Sequence, residues 1–140
     1  MPYSSVLLGI AGLIPFIGLV LAGWFSWLPL SEAARYFTQY SAVLLSFFGG
    51  IHWFDAVSNQ RTNHQIYVAM LPTIVGWLCL VFAGDIRVLG ALSLAYLAVL
   101  FYDKFTLAMP KGLLMSYIAL RVGLTTVVVV CHALMISLLT

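Results

Sequence analysis

Five long apolar runs dictate what this chain can fold into. They occupy residues 6–25, 36–54, 66–83, 86–102 and 113–139. A helix needs about 20 such residues to cross a hydrocarbon core of roughly 30 Å. In that medium a backbone must satisfy its own hydrogen bonds, which leaves helices as the only spanning form these runs can take. The expected fold is therefore all-α: a polytopic membrane protein, a bundle of five transmembrane helices in a single domain over residues 1–140. Only 7% of the residues are charged, against about 25% in ordinary soluble domains. The net charge of +2 comes from scattered residues with no basic run, so no nucleic-acid partner is expected. The bilayer itself is the expected partner.

The joins between runs are short and carry charge or turn residues: "SWLPLSEAAR", "DAVSNQRTNHQ", "GD" and "DKFTLAMPKG". In the first of them Ser31 reads as an N-cap before Glu32. The opening run has no positive flank and no A-x-A cleavage site, so it reads as a retained helix and not a signal peptide. With five spans, Arg61, Lys104 and Lys111 fall on one side and Arg35 and Arg87 on the other. The positive-inside rule then favours a cytoplasmic N-terminus by one charge. Cys79 and Cys131 lie within apolar runs and read as packed or lipid-facing thiols, not as a disulfide.

Two prolines, Pro15 and Pro72, fall inside runs one and three. Each removes a backbone donor, so both helices are expected to kink, as static bends that shape the bundle in preference to gating hinges. In run two, Ala42, Ser46 and Gly50 recur every four residues beside Gly49, and Trp53 continues the face. Such a small-residue stripe lets another backbone approach closely, because association in lipid depends on packing. The glycines read as contact glycines in preference to a ligand crevice.

The polar residues are the exceptions that need explaining. Run two ends, run four ends and run five begins at the same membrane face. His52, Asp55, Asp103 and Arg121 all lie toward it, together with Arg61, His64 and Lys104. An arginine near mid-membrane costs about 2.5–3.5 kcal/mol on insertion scales, so Arg121 must face the bundle and find a carboxylate, Asp103 or Asp55. Tyr96 shares a face with Asp103, and Tyr117, Arg121, Thr125 and His132 form one stripe. Tyr102 adjoins Asp103 at the same end. The cluster reads as a register-fixing ion pair or, alternatively, as a site for a proton, an anion, a lipid head group or a quinone. Bis-histidine haem is excluded, because His132 lies near the opposite leaflet from His52. A metal held by His52, Asp55 and His64 is the weaker alternative, and no metal or cofactor is expected. No G-x-S-x-G, H-E-x-x-H, C-x-x-C or P-loop pattern occurs. No catalytic residue is assigned.

The segments "YSAVLLSFFGGIHW" (40–53), "MLPTIVGWLCL" (70–80), "YDKF" (102–105) and "SYIALRVGLTTVVV" (116–129) resemble an uncharacterised family of small integral membrane proteins, a domain of unknown function that includes mitochondrial transmembrane protein 69. The resemblance implies a multi-pass protein of a bacterial or mitochondrial inner membrane, here the bacterial one, and it implies no reaction. Its motif positions fall on Gly49, Gly50, His52, Trp53, Pro72, Trp77, Tyr102, Asp103, Arg121 and Thr125. Phe54 departs from the pattern, where a small residue is expected. The function expected first is an accessory or assembly protein without catalysis, associating with another membrane protein or with itself. The alternatives are a small transporter or proton/ion conduit using the His/Asp/Arg cluster, and a lipid- or quinone-binding membrane protein.

Overall fold

The computed structural model describes residues 3–61 and 63–140. Among them there are only helices: α1 (Tyr3–Ala11), α2 (Ile14–Trp24), α3 (Leu30–Ser58), α4 (His64–Val68), α5 (Leu71–Val81), α6 (Ile86–Thr106) and α7 (Lys111–Leu139). Taken as α1–α2, α3, α4–α5, α6 and α7 they give five segments long and apolar enough to cross a membrane. The protein is thus an all-α, multi-pass membrane bundle. The expected spans recur with shifted ends. Runs two and four extend to Leu30–Ser58 and Ile86–Thr106, which brings Asp55 and Asp103 inside helices beside His52.

The two prolines produce breaks and not smooth bends. Pro15 and Pro72 each sit in the first turn of a new helix, α2 and α5, after two turn residues. A proline lacks the N–H that a helix interior requires but is tolerated at a helix start, so the chain restarts there. At the first break the Tyr40 hydroxyl donates to the Gly12 carbonyl over 2.7 Å, supplying the partner that backbone needs in lipid. One boundary expectation fails. Helix α3 begins at Leu30 with Pro29 as its N-cap, so Ser31 is inside the first turn and caps nothing. The fixed φ of Pro29 already sets the helix entry, one residue earlier than the serine signal.

Helix α3, about 43 Å long, is the centre of the bundle and packs on α2, α4, α5, α6 and α7. Its buried line runs Ala42, Leu45, Gly49, His52 and Ala56, at helical spacing. Two of these positions permit backbone contact with the third span. A Cβ added to Gly49 would stand 2.6 Å from the Ala69 carbonyl oxygen, and one added to Gly76 would stand 2.8 Å from that of Ala42. The small-residue stripe is therefore used inside the chain, to seat α5 on α3. It is also rotated from its expected line: Gly50 faces open space, and Trp53 and Phe54 are exposed. The departure at Phe54 is accommodated because that side chain points away from the bundle.

The short turn before α6 uses Gly84 at φ +105°, a conformation side chains resist. Asp85 then caps α6 by accepting from the Arg87 N–H at 2.9 Å. Hydrogen bonds from Arg87 pull its carboxyl from 3.8 down to about 2. Because the folded value lies below the unfolded one, this cap contributes above about pH 4 and is lost as pH falls toward 2.

Glycine at 49 is required by the α3–α5 contact, whereas glycine at 50 is not. Gly49→Ala is expected to destabilise the bundle by about 1–3 kcal/mol, the usual range for overpacking, while Gly50→Ala leaves stability unchanged or slightly raised. Reversible unfolding in mixed micelles measures both; equal effects would rule out the close contact.

Candidate functional site

At the α3 C-terminal end the bundle holds four buried polar side chains. His52, Gln65, Asp103 and Arg121 are each 3% exposed or less. Arg121 reaches across from α7, and its Nε donates to Asp103 Oδ2 at 3.1 Å. The other carboxylate oxygen, Oδ1, lies 2.5 Å from His52 Nε2. Arg121 Nη1 donates to the Thr125 hydroxyl one turn on, at 3.4 Å. The Phe48 ring covers the guanidinium, with its centroid 3.7 Å from the central carbon. A buried cation is thereby matched by a buried anion, as the cost of isolated charge in lipid demands.

The directions of the remaining hydrogen bonds fix the histidine tautomer. Arg61 Nη1 can only donate, and it meets Gln65 Oε1 at 3.0 Å. The Gln65 amide nitrogen must then be the atom that faces Asp55 Oδ2 at 2.8 Å and His52 Nδ1 at 3.1 Å. An amide N–H donates, so His52 Nδ1 accepts and the ring carries its proton on Nε2, pointed at Asp103. Donation thus runs one way from Arg61 through Gln65 and His52 to Asp103, which also accepts from Arg121 on its other oxygen. Asp55 is held further by the Ala108 N–H at 3.3 Å, and Arg61 stands 3.7 Å away. Two arginines oppose two aspartates around a neutral imidazole.

The expected residues distribute as follows. His52, Asp103 and Arg121 meet directly, and Thr125 joins through Arg121. Asp55 enters through Gln65 and Arg61 and does not pair with Arg121, because Asp103 occupies that position. Tyr102 stacks at a tilt on His52, with ring centroids 4.8 Å apart, and its hydroxyl shares a 2.6 Å hydrogen bond with His64 Nδ1. His64 thus bonds to Tyr102, and no group of three metal-ligating side chains converges among the described residues. Tyr96 belongs elsewhere: its hydroxyl donates to the Ser41 carbonyl at 2.6 Å. Beside it the Ser41 hydroxyl and His132 Nε2 are 2.7 Å apart, and His132 Nδ1 donates to the Val128 carbonyl. That pair lies about 16 Å along α3 from His52. Gly49 abuts Pro72 and Ala69 under the cluster, whereas Gly50 and Trp53 take no part in it.

Sequence reasoning missed Gln65 and Phe48. Gln65 was assigned to the loop; it is buried because α4 begins at His64, capped by the Asn63 side chain accepting from Gln65 N. The signal available was an amide, able both to donate and accept, at the edge of an apolar run.

A cavity of about 470 Å³ opens beside the cluster, between α1 and the Gly12–Leu13 turn on one side and α3, α6 and α7 on the other. Its wall is mainly apolar, from Leu8, Leu44, Phe48, Leu124 and others, with Ser5, Tyr96, Tyr117, Arg121 and Thr125 as its polar side chains. Arg121 Nη2 has no hydrogen-bond partner, the sole buried side-chain atom of that kind among the described residues. A second cavity of about 310 Å³ lies on the far side of the cluster, with His52 and Tyr102 in its wall among apolar residues of α5 and α6.

The family described as "Protein of unknown function (DUF3429)" matches residues 1–137. Transmembrane protein 69 of Xenopus tropicalis is 31% identical over 133 residues, which cover 91% of this chain and 51% of that protein. The chain thus spans about half the length of this curated relative. No solved structure matches the chain.

Arg121→Leu leaves a buried Asp103 with one partner fewer and is expected to cost about 3–5 kcal/mol. Arg61→Leu removes bonds at a partly exposed position, while Asp55 keeps Gln65 and Ala108, and is expected to cost about 1–2 kcal/mol. Unfolding of the two variants in mixed micelles compares them; equal losses would contradict the buried pairing.

Proposed function

We propose that this chain, which belongs to the DUF3429 family, is a non-catalytic membrane protein that holds an amphiphile of the bilayer in the cavity beside Arg121. The observation that carries this reading is the conjunction of an apolar recess of about 470 Å³ with one unpartnered, buried guanidinium nitrogen on a residue of its wall. Recesses of this size and lining suit small ligands, with a few polar groups that set orientation. Buried polar atoms are nearly always bonded, so an orphan beside a cavity points to a group that completes it.

Access runs past α1. None of its residues is buried, and the break at Gly12 and Leu13 separates it from α2. Gly9 lets α1 sit close to α7, with Leu124 3.3 Å from where a Cβ would be. The accessory role read from the small-residue stripe has less support, since that stripe is occupied within the chain. An ion conduit has less support too. The polar side chains bond to one another at one end of the bundle, well separated from the Ser41–His132 pair. A bacterial inner membrane, with the N-terminus cytoplasmic, belongs to this same proposal; the relative matched is a eukaryotic transmembrane protein.

The test is labelling in phosphatidylcholine nanodiscs with a hexadecane that carries a diazirine. Adducts are expected to concentrate in residues 5–13 and 120–128, and Gly9→Phe, which fills the mouth, should remove most of them. Even labelling of outward positions such as Phe54 and Phe105, unaltered by Gly9→Phe, would overturn the proposal.

A further inference from the structure

We infer that the ligand's head is an uncharged hydrogen-bond acceptor, a ketone, quinone or ester carbonyl, and not a carboxylate or phosphate. This rests on the binding role proposed above and concerns only what meets Arg121.

The charges around Arg121 are already closed. Asp103 on α6 opposes it at 3.1 Å, and both Asp103 oxygens are in use, one by Arg121 and one by His52. His52 on α3 is uncharged in the hydrogen-bond pattern, because its Nδ1 accepts from the Gln65 amide. Farther out, Asp55 is opposed by Arg61. The other titratable groups of the cavity wall are the phenols of Tyr96 and Tyr117. Tyr102 and His64 bond to each other beyond His52. No cation in this set is free to neutralise an arriving anion.

An anionic head would therefore have two courses, both unfavourable. It could compete with Asp103 for the guanidinium, leaving one of two carboxylates unpaired in a low-dielectric interior. It could instead arrive protonated, which above its own pKa costs the uptake of a proton and leaves it no longer an anion. A carbonyl oxygen needs neither. It accepts from Nη2, adds no charge and leaves the Arg121–Asp103–His52 bonds intact. Nη2 is the one guanidinium nitrogen without a partner, and an uncharged oxygen can accept from it while Nε stays on Asp103. The rest of the wall, being apolar, takes the chain of the same molecule.

Phe48 controls the approach. Its ring covers the guanidinium and lines the cavity, so an oxygen reaches the buried Nη2 by displacing that ring. The ring's attraction to the cation is exchanged for a hydrogen bond to the same cation.

The experiment uses the full chain in phosphatidylcholine nanodiscs with three probes that share one diazirine-bearing sixteen-carbon chain: the methyl ester, the free acid and the head-free alkane. At about pH 9 the acid is ionised. The ester is expected to label residues 120–128 about tenfold more than the carboxylate, the scale of one uncompensated buried charge or more. Phe48→Leu, which removes the ring over the guanidinium and changes no charge, should raise ester labelling and preserve its preference. Arg121→Lys keeps the charge but removes Nη2, and should reduce the ester to the level of the alkane. Labelling by the carboxylate equal to or above that by the ester would overturn the inference while the binding role stood. Absence of cavity labelling by all three, the alkane included, would overturn both.

Discussion

The ion pair between Arg121 and Asp103 is the interaction on which the rest of the bundle depends. A guanidinium buried among apolar helices is tolerable only beside an anion, and the anion here comes from a different span. That requirement fixes the register of α7 against α6. The second oxygen of Asp103 then fixes His52, and with it the rotation of α3. Through Gln65 and Arg61 the same constraint reaches the α3–α4 connection and the carbonyl of Thr106 at the end of α6. Four spans are tied together at one face by a network whose charges sum to zero.

Much of this was legible from residue type alone. Five apolar runs in a medium without water leave little choice of fold, and a lone arginine in one of them must seek a carboxylate. The choice between Asp55 and Asp103 was not legible, because it depends on helix rotation. Asp103 lies on the buried face of α6 with Tyr96 and Val99, whereas Asp55 stands at the rim and bonds to Gln65. Gln65 was hidden by a boundary error of one or two residues, and Phe48 by being one aromatic among many apolar neighbours. The small-residue stripe was read at Ala42, Ser46 and Gly50. The close backbone contacts run instead through Gly49 and Ala42, since the period of 3.6 moves the buried line off a strict four-residue spacing. Breaks at the prolines were legible as bends, but the restart of a new helix at each one was not.

The recess beside Arg121 has no counterpart in the pattern of the sequence. It arises because the first span is broken and its leading half, α1, lies against α7 without burying any of its own residues. The polar network is bonded throughout except at one nitrogen, and that nitrogen belongs to a residue of the recess. The bilayer ligand proposed above, its head completing the guanidinium, would give both features one cause. The structural role of the pair and the proposed role toward a ligand are compatible, because Nε holds Asp103 while Nη2 has no partner.

The most direct measurement is a double-mutant cycle on the pair itself, with stability read by reversible unfolding in mixed micelles for Arg121→Leu, Asp103→Asn and the two combined. The asparagine removes the charge while keeping an acceptor for His52. Mutual neutralisation within the bundle predicts that the double variant is more stable than Arg121→Leu alone, with a coupling of about 1–3 kcal/mol. Additive losses, with no recovery in the double variant, would contradict a buried, interdependent pair.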